Sequence, residues 1–233
     1  MKIIELPIEF EFNGQKNYIN PSLIIRKNEL TLVDTGYPDF LPLIENEIIK
    51  NGYEMKNLKN IIITHYDIDH IGSLFDFKEK YPLINIIASE VESKFISGEM
   101  KSERLVQAEG MVENMPNQEF GKWFIQQLKK LKHVSIDEKV HDGDLILDNE
   151  CRVVATPGHT SGHISLYFPS LNSVISGDAA VKENHELGIA NPQFCLNVEE
   201  AEQSLRKIKD LKAENYYCYH GGTFTLLYDG YKI

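Results

Sequence analysis

Apolar and polar positions along this chain follow two rhythms, and the rhythm changes several times. Near the start, apolar residues come in runs of strand length. Ile3 to Phe10 alternates in part, Ser22-Leu23-Ile24-Ile25 gives a second run, and Leu30-Thr31-Leu32-Val33 a third before Asp34-Thr35-Gly36. Phe40 to Ile49 has helical spacing, and Ile61-Ile62-Ile63 reads as a buried strand. A helix is expected near Ile71 to Lys80 with Leu74 and Phe75 inward, then a strand over Leu83 to Ile87.

From Glu90 to about His133 the period becomes helical. Ser89-Glu90-Val91-Glu92-Ser93 resembles a helix entrance, and Phe120, Trp123, Phe124, Leu128 and Leu131 recur at helical spacing. Met100, Met111 and Met115 suit either an adaptable pocket wall or an outer helix pair. Strand signals return at Leu145-Ile146-Leu147 and Arg152-Val153-Val154-Ala155. Ile164 to Phe168 and Ser173-Val174-Ile175 form an expected hairpin, and a helix over Glu199 to Lys209 precedes a strand around Tyr216 to Tyr219. Strand pairs in both halves predict an α/β fold of two packed sheets covered by helices. With no repeat or Pro-rich linker, residues 1–233 are expected to form one domain with a helical insertion at about 90–133.

Composition narrows the partners. A formal charge of −11 gives no basic surface for a nucleic-acid backbone, and Lys129, Lys130 and Lys132 lie on a helical pattern that they solvate. No window reaches the roughly 18 apolar residues of a membrane span, and the start lacks the apolar core of a secretory signal. Cys151, Cys195 and Cys218 are odd in number and form no CxxC pair. Buried thiols and a cytoplasmic location are expected, with a small-molecule substrate and an undetermined oligomeric state.

The chemistry concentrates at the ends of the apolar runs. Thr64-His65-Tyr66-Asp67-Ile68-Asp69-His70 puts four metal-competent side chains into six consecutive positions after Ile61-Ile62-Ile63. Such groups are costly at a buried strand end unless solvated, paired or bound to metal. A loop leaving the strand could send His65 and Asp67 to one metal and Asp69 and His70 to another; a charged helix start capped by Asp67 or Asp69 is the alternative. Imidazole with carboxylate and no thiolate suits zinc, manganese or iron(II). In Thr156-Pro157-Gly158-His159-Thr160-Ser161-Gly162-His163 one histidine could ligate, and His159, nearest the turn, is the choice over His163. Asp178 follows Ser176-Gly177 and could bridge two ions or simply cap a turn. His220, before Gly221-Gly222, could complete a second ion or lie idle in a loop. Asp34 either orients a ligand or starts a turn. His133, His141 and His185 carry no supporting pattern.

This pattern resembles the metallo-beta-lactamase superfamily, whose usual signature is His-x-His-x-Asp-His followed by separated His, Asp and His ligands. The resemblance runs from Leu32-Val33-Asp34-Thr35-Gly36 to the His220 segment, with His65, Asp69, His70, His159, Asp178 and His220 matching. It implies a four-layer αβ/βα sandwich of two mixed sheets with two divalent ions at one edge. His65, Asp67 and His159 would hold the first ion, Asp69, His70 and His220 the second, and Asp178 would bridge. The departure is Asp67, which stands where most members have the second histidine and the oxygen-reducing di-iron branch has a glutamate. With this carboxylate, Asp67, Asp69, Asp178 and a hydroxide would cancel all four charges of two divalent ions. A histidine there would leave one positive charge. A less acidic water and a shift toward iron or manganese follow.

The expected function is a metal-dependent hydrolase using a hydroxide held by two divalent ions, zinc first, on a small ester, lactone, thioester or phosphodiester. Asp69 is the expected proton-transfer group. The competing expectations are a di-iron oxygen-binding or redox protein of the same fold, favoured by Asp67, and a catalytically silent metal-keeping module.

Overall fold

Period-two alternation in the short apolar runs builds two six-stranded sheets in this computed structural model, which describes residues 1–12 and 14–226. The expectation of one domain over residues 1–233 thus includes positions 13 and 227–233, which lie outside the described residues. Strands β1 (Lys2–Glu5), β2 (Ile8–Phe12), β3 (Gln15–Ile19), β4 (Ser22–Arg26) and β5 (Glu29–Val33) come first, then helix α1 (Leu41–Lys50) and strand β6 (Leu58–Ile63). Helices α2 (Ile68–Ile71) and α3 (Leu74–Lys80), strand β7 (Asn85–Ser89), and helices α4 (Glu90–Ile96), α5 (Glu103–Met111) and α6 (Gln118–Lys130) follow. The rest comprises strands β8 (Glu138–Val140), β9 (Leu145–Ile146), β10 (Cys151–Ala155), β11 (Ile164–Phe168), β12 (Ser173–Gly177), β13 (Val181–Glu183) and β14 (Glu186–Gly188), helix α7 (Val198–Lys209), and strands β15 (Asn215–Cys218) and β16 (Gly222–Thr225).

The first sheet runs β1-β4-β5-β6-β7-β8 and the second β16-β15-β12-β11-β10-β9, while β2–β3 and β13–β14 are separate hairpins. Strands β5 to β8 are parallel, as are β12 and β15; the remaining pairs are antiparallel, so both sheets are mixed. Successive side chains go to opposite faces. Val33, Ile62 and Ile87 therefore pack with Val153, Leu166 and Ile175 between the sheets. Leu32, Ile61 and Ile86 meet Ile44, Ile48 and Phe77 from the helices outside the first sheet, and Val154, Val174 and Tyr216 meet Ile208 of α7 outside the second. The result is the four-layer αβ/βα sandwich.

Four local expectations shift. The helix near Ile71 to Lys80 splits into α2 and α3 at Gly72, where a Cβ would lie 2.3 Å from Pro38 N and 2.5 Å from Ile68 O. Ser73 Oγ, in the break, accepts hydrogen bonds from Phe40 N and Leu41 N, so the split fastens the start of α1. Phe77, rather than Phe75, is the fully buried ring of α3. Leu83 is 96% exposed because β7 begins only at Asn85. In α6, Leu128 is buried but Trp123 is largely exposed, lying 5.9 Å from the Phe12 ring of the β2–β3 hairpin instead of in the core. Strand β16 was not foreseen; it pairs with β15 after the Gly221-Gly222 turn.

Candidate metal centre

Every charged loop of the site leaves the C-terminal end of a strand. Asp34 follows β5 and the His65 to His70 segment follows β6, its parallel neighbour. His159, Asp178 and His220 follow β10, β12 and β15. β10 and β12 are both antiparallel to β11, and β12 is parallel to β15, so these three loops emerge at one end of the second sheet. Residues scattered over 187 positions of sequence, from Asp34 to His220, thereby share one edge between the sheets.

All seven predicted metal residues meet there. One group comprises His65, Asp67 and His159, a second Asp69, His70 and His220, and a third His65, His70 and Asp178, with donor atoms within 4.8 Å of one another in each. Asp67 Oδ2 lies 3.6 Å from His65 Nε2 and 3.0 Å from His159 Nε2. Asp69 Oδ2 lies 3.3 Å from His220 Nε2 and 3.7 Å from His70 Nε2. Asp178 stands between the groups. Its Oδ1 is 3.4 Å from His70 Nε2, and its Oδ2 is 3.5 Å from His159 Nε2 and 3.6 Å from His220 Nε2.

The imidazoles are held with their metal-competent nitrogens inward. Asp34 Oδ1 accepts from Thr64 N, and Oδ2 accepts from the Thr64 hydroxyl and lies 2.9 Å from His70 Nδ1. A carboxylate only accepts, so His70 Nδ1 carries a proton and Nε2 is the nitrogen turned toward the cluster. The Thr64 hydroxyl, having donated to Asp34, accepts from His65 Nδ1 at 3.0 Å, which sets the same tautomer in His65. Asp34 thus has the orienting role rather than only that of a turn residue. It does so at a φ of +66°, a conformation Asp tolerates better than most residues. His163 is used differently: its Nε2 accepts from Asp178 N at 3.0 Å and its Nδ1 meets Thr156 Oγ1 at 2.8 Å. Burial, aided by His65 and His159, holds His163 well below the ordinary imidazole range, so it stays a neutral prop for Asp178.

Buried polar atoms normally find partners. Among the described residues, five buried side-chain atoms have no hydrogen-bond partner, Glu5 Oε1, His159 Nδ1, His65 Nε2, His70 Nε2 and Asp178 Oδ1, and the last three converge in the cluster. Two imidazole nitrogens and a carboxylate oxygen left without hydrogen-bond partners fit as ligands of a divalent cation of the zinc, iron(II) or manganese type. Charges point the same way. Burial opposes ionisation of Asp178, yet His220 and His70 hold its carboxyl well below the usual range. Burial likewise opposes charge on His70, but Asp34, Asp69 and Asp178 raise it well above its ordinary value. The cluster favours positive charge.

The family model for the metallo-beta-lactamase superfamily matches residues 15–220. The chain belongs to the metallo-beta-lactamase superfamily. Among curated relatives of this superfamily chain, "Probable metallo-hydrolase YflN" of Bacillus subtilis is 29% identical over 213 residues, covering 83% of this chain and 76% of that protein. A hydroxyacylglutathione hydrolase of Bartonella henselae is 26% identical, covering 85% of this chain and 65% of the relative. In three dimensions, the metallo-beta-lactamase family protein TTHA1429 from Thermus thermophilus matches 96% of this chain and 74% of its own, with a TM-score of 0.73 and 20% identity.

Two residues of this metallo-beta-lactamase site escaped the sequence reading. Arg104, near the start of α5, is 3% exposed, and its Nη2 donates to Asp67 Oδ2 at 2.7 Å while its Nε donates to Oδ1 at 3.0 Å. Burial opposes charge on Asp67, but Arg104 foremost, then His159 and His65, hold it well below the carboxylate range. The expected charge balance left this guanidinium out: Asp67 has a buried counter-charge of its own. Arg104 is the only arginine between Arg26 and Arg152, and an extra buried carboxylate demanding a counter-charge was the one available signal.

The second is Glu92 of α4, fully buried. Its oxygens accept from Tyr66 N at 2.9 Å, Thr160 Oγ1 at 2.8 Å and Gly162 N at 2.9 Å, joining the loop of His65 to the loop of His159. Burial raises this carboxyl to about 8 against the pull of those donors. Ser89-x-x-Glu92 has the spacing of a capping box, and Ser89 does cap α4, yet Glu92 turns away to the two loops.

Proposed function

We propose that this chain is a hydrolase of the metallo-beta-lactamase superfamily that works with two divalent ions on a small carbonyl ester, with a thioester as the first class to test. It is a hydrolytic enzyme. The observation that carries the reading is Asp178 standing between two donor sets, with its two oxygens facing histidines of both. His65, Asp67 and His159 would hold one ion, Asp69, His70 and His220 the other, with Asp178 shared. Imidazole and carboxylate donors without thiolate suit zinc, iron(II) and manganese, and zinc is the first to test. Bound there, such a pair supplies an activated water and Lewis-acid polarisation of the scissile carbonyl.

The chain's own groups provide the rest. Asp34, directly for His70 and through Thr64 for His65, holds both rings with Nε2 turned toward the cluster. Asp69 has a partly exposed carboxylate with Oδ2 beside His220, which suits it to pass a proton to the departing group. The Tyr37 phenol, pushed up by burial and by Asp69, Asp178 and Asp67, stays protonated and remains a donor. The hydroxyacylglutathione hydrolase relative supports a thioester ahead of lactones, other esters and phosphodiesters. With Asp67 neutralised by Arg104, the added negative charge that favoured a di-iron redox protein is gone. Three buried free thiols support a reducing, cytoplasmic setting, and among the described residues no helix is long and apolar enough to cross a membrane.

The test is a four-substrate screen, with a hydroxyacylglutathione thioester, a lactone, an aryl ester and a phosphodiester, on protein of known metal content. Thioester turnover that chelation abolishes, zinc restores and His159→Ala or Asp178→Ala removes is the expected result. Full turnover after chelation or in either variant overturns it.

A further inference from the structure

Arg104 makes a buried two-point contact with Asp67. A guanidinium at a functional cleft ordinarily faces solvent or substrate; this one is 3% exposed and gives both arms of its fork to the carboxylate that departs from the superfamily signature. Its third nitrogen is also fixed, Nη1 donating to Gln107 Oε1 at 2.6 Å, and Nη2 lies 3.4 Å from His159 Nε2. The start of α5 is tied to both loops of that group: Arg104 N donates to the Tyr66 hydroxyl at 3.1 Å, and Ser161 Oγ donates to Glu103 Oε2 at 2.7 Å. Ser102 caps the helix by accepting from Leu105 N. The start of α5 is therefore assembled around the His65–Asp67–His159 group, from a segment 37 residues away in sequence.

Bidentate Arg–carboxylate pairs fix a carboxylate in plane as well as neutralise it. Here both effects fall on Asp67. Oδ2 faces His65 and His159, and the same oxygen accepts from Arg104 Nη2, so its charge is balanced at the group itself. An unpaired buried guanidinium or carboxylate would each be costly, so the two residues are expected to work only as a pair.

We propose that Arg104 is a positioning residue whose fork onto Asp67 orients that carboxylate and cancels its charge, so that the His65–Asp67–His159 group takes a divalent cation as an all-histidine triad would. This rests on the two-ion reading of the cluster. It assigns the helical segment a part in metal binding rather than only in covering the cleft, and makes Asp67 and Arg104 interchangeable, as a unit, with a histidine and an apolar residue.

The test is a double-mutant cycle on the full chain: wild type, Asp67→His, Arg104→Met and the double variant. Bound zinc per chain, zinc affinity by chelator competition, the cobalt(II) absorption spectrum and Tm are measured. Wild type is expected to hold two ions. Asp67→His alone should lose the ion of its group, about 10–100-fold in affinity, and fall in Tm, because the guanidinium keeps its charge without its partner. The double variant should regain two ions and a cobalt spectrum of two occupied sites. A double variant no better than Asp67→His, or an Asp67→His protein that holds two ions unimpaired, overturns the role of Arg104 while leaving the two-ion centre standing. If Asp67→His does not fold, the double variant decides: two ions support the pairing, and one ion or no fold overturns it. A wild type that binds no divalent ion overturns the underlying two-ion reading itself.

Discussion

His70 Nδ1 and Asp34 Oδ2 lie 2.9 Å apart, and this contact fixes which nitrogen of His70 faces the cluster. The same oxygen accepts from the Thr64 hydroxyl, which in turn fixes His65. One carboxylate thereby sets two imidazoles, one in each donor group.

Asp34→Asn is the clean probe of that relationship. Asparagine also tolerates the φ of +66°, so the backbone is kept, whereas alanine would add strain. The amide lacks the charge and one acceptor, and loosening both histidines should weaken zinc binding about 10–100-fold, with a smaller change in Tm. Chelator competition and thermal melts measure the two effects; unchanged zinc affinity would remove Asp34 from the site.

Glu92 predicts a pH dependence of stability. Its folded carboxyl is raised to about 8 by burial, whereas the ordinary value is 4.5. Between those values the folded chain holds a proton that the unfolded chain has lost, so this group's contribution falls as pH rises from about 4.5 to 8. The slope approaches about 1.4 kcal/mol per pH unit inside that window. Glu92→Gln cannot titrate. Urea unfolding of both proteins at fixed metal loading should give a wild-type advantage that shrinks with pH. An advantage that grows with pH would mean that the three donors outweigh burial.

Gly158 predicts a steric dependence of the His159 loop. Its φ is +123°, and a Cβ would lie 2.1 Å from Ala201 N in α7. Gly158→Ala must push the turn off that helix, and we expect a loss of about 3 kcal/mol or more, with the ion of the His159 group released. Thermal melts and metal analysis check both. A fall below about 1 kcal/mol would mean that the turn relaxes cheaply.

Particular residues explain how much was legible beforehand. The seven clustered side chains were visible because each follows an apolar run or a tight-turn residue, and parallel strand ends must open at one edge. The hairpin of β11 and β12 and the capped start of α4 were equally plain. The α6 stripe misled, because helical spacing reveals an apolar face without saying what it meets. Trp123 meets the β2–β3 hairpin and stays largely exposed.

The sequence by itself determined the alternation that makes four layers, the donor types, and the acidic residue at position 67 that sets this chain apart. Tertiary structure alone decided what balances that acid. Pairing Arg104 with Asp67, and Glu92 with two separate loops, depends on distance and burial across 26 to 70 positions, and local periodicity carries no record of such contacts. A charge buried by folding acquires its partner only when the fold brings one within reach.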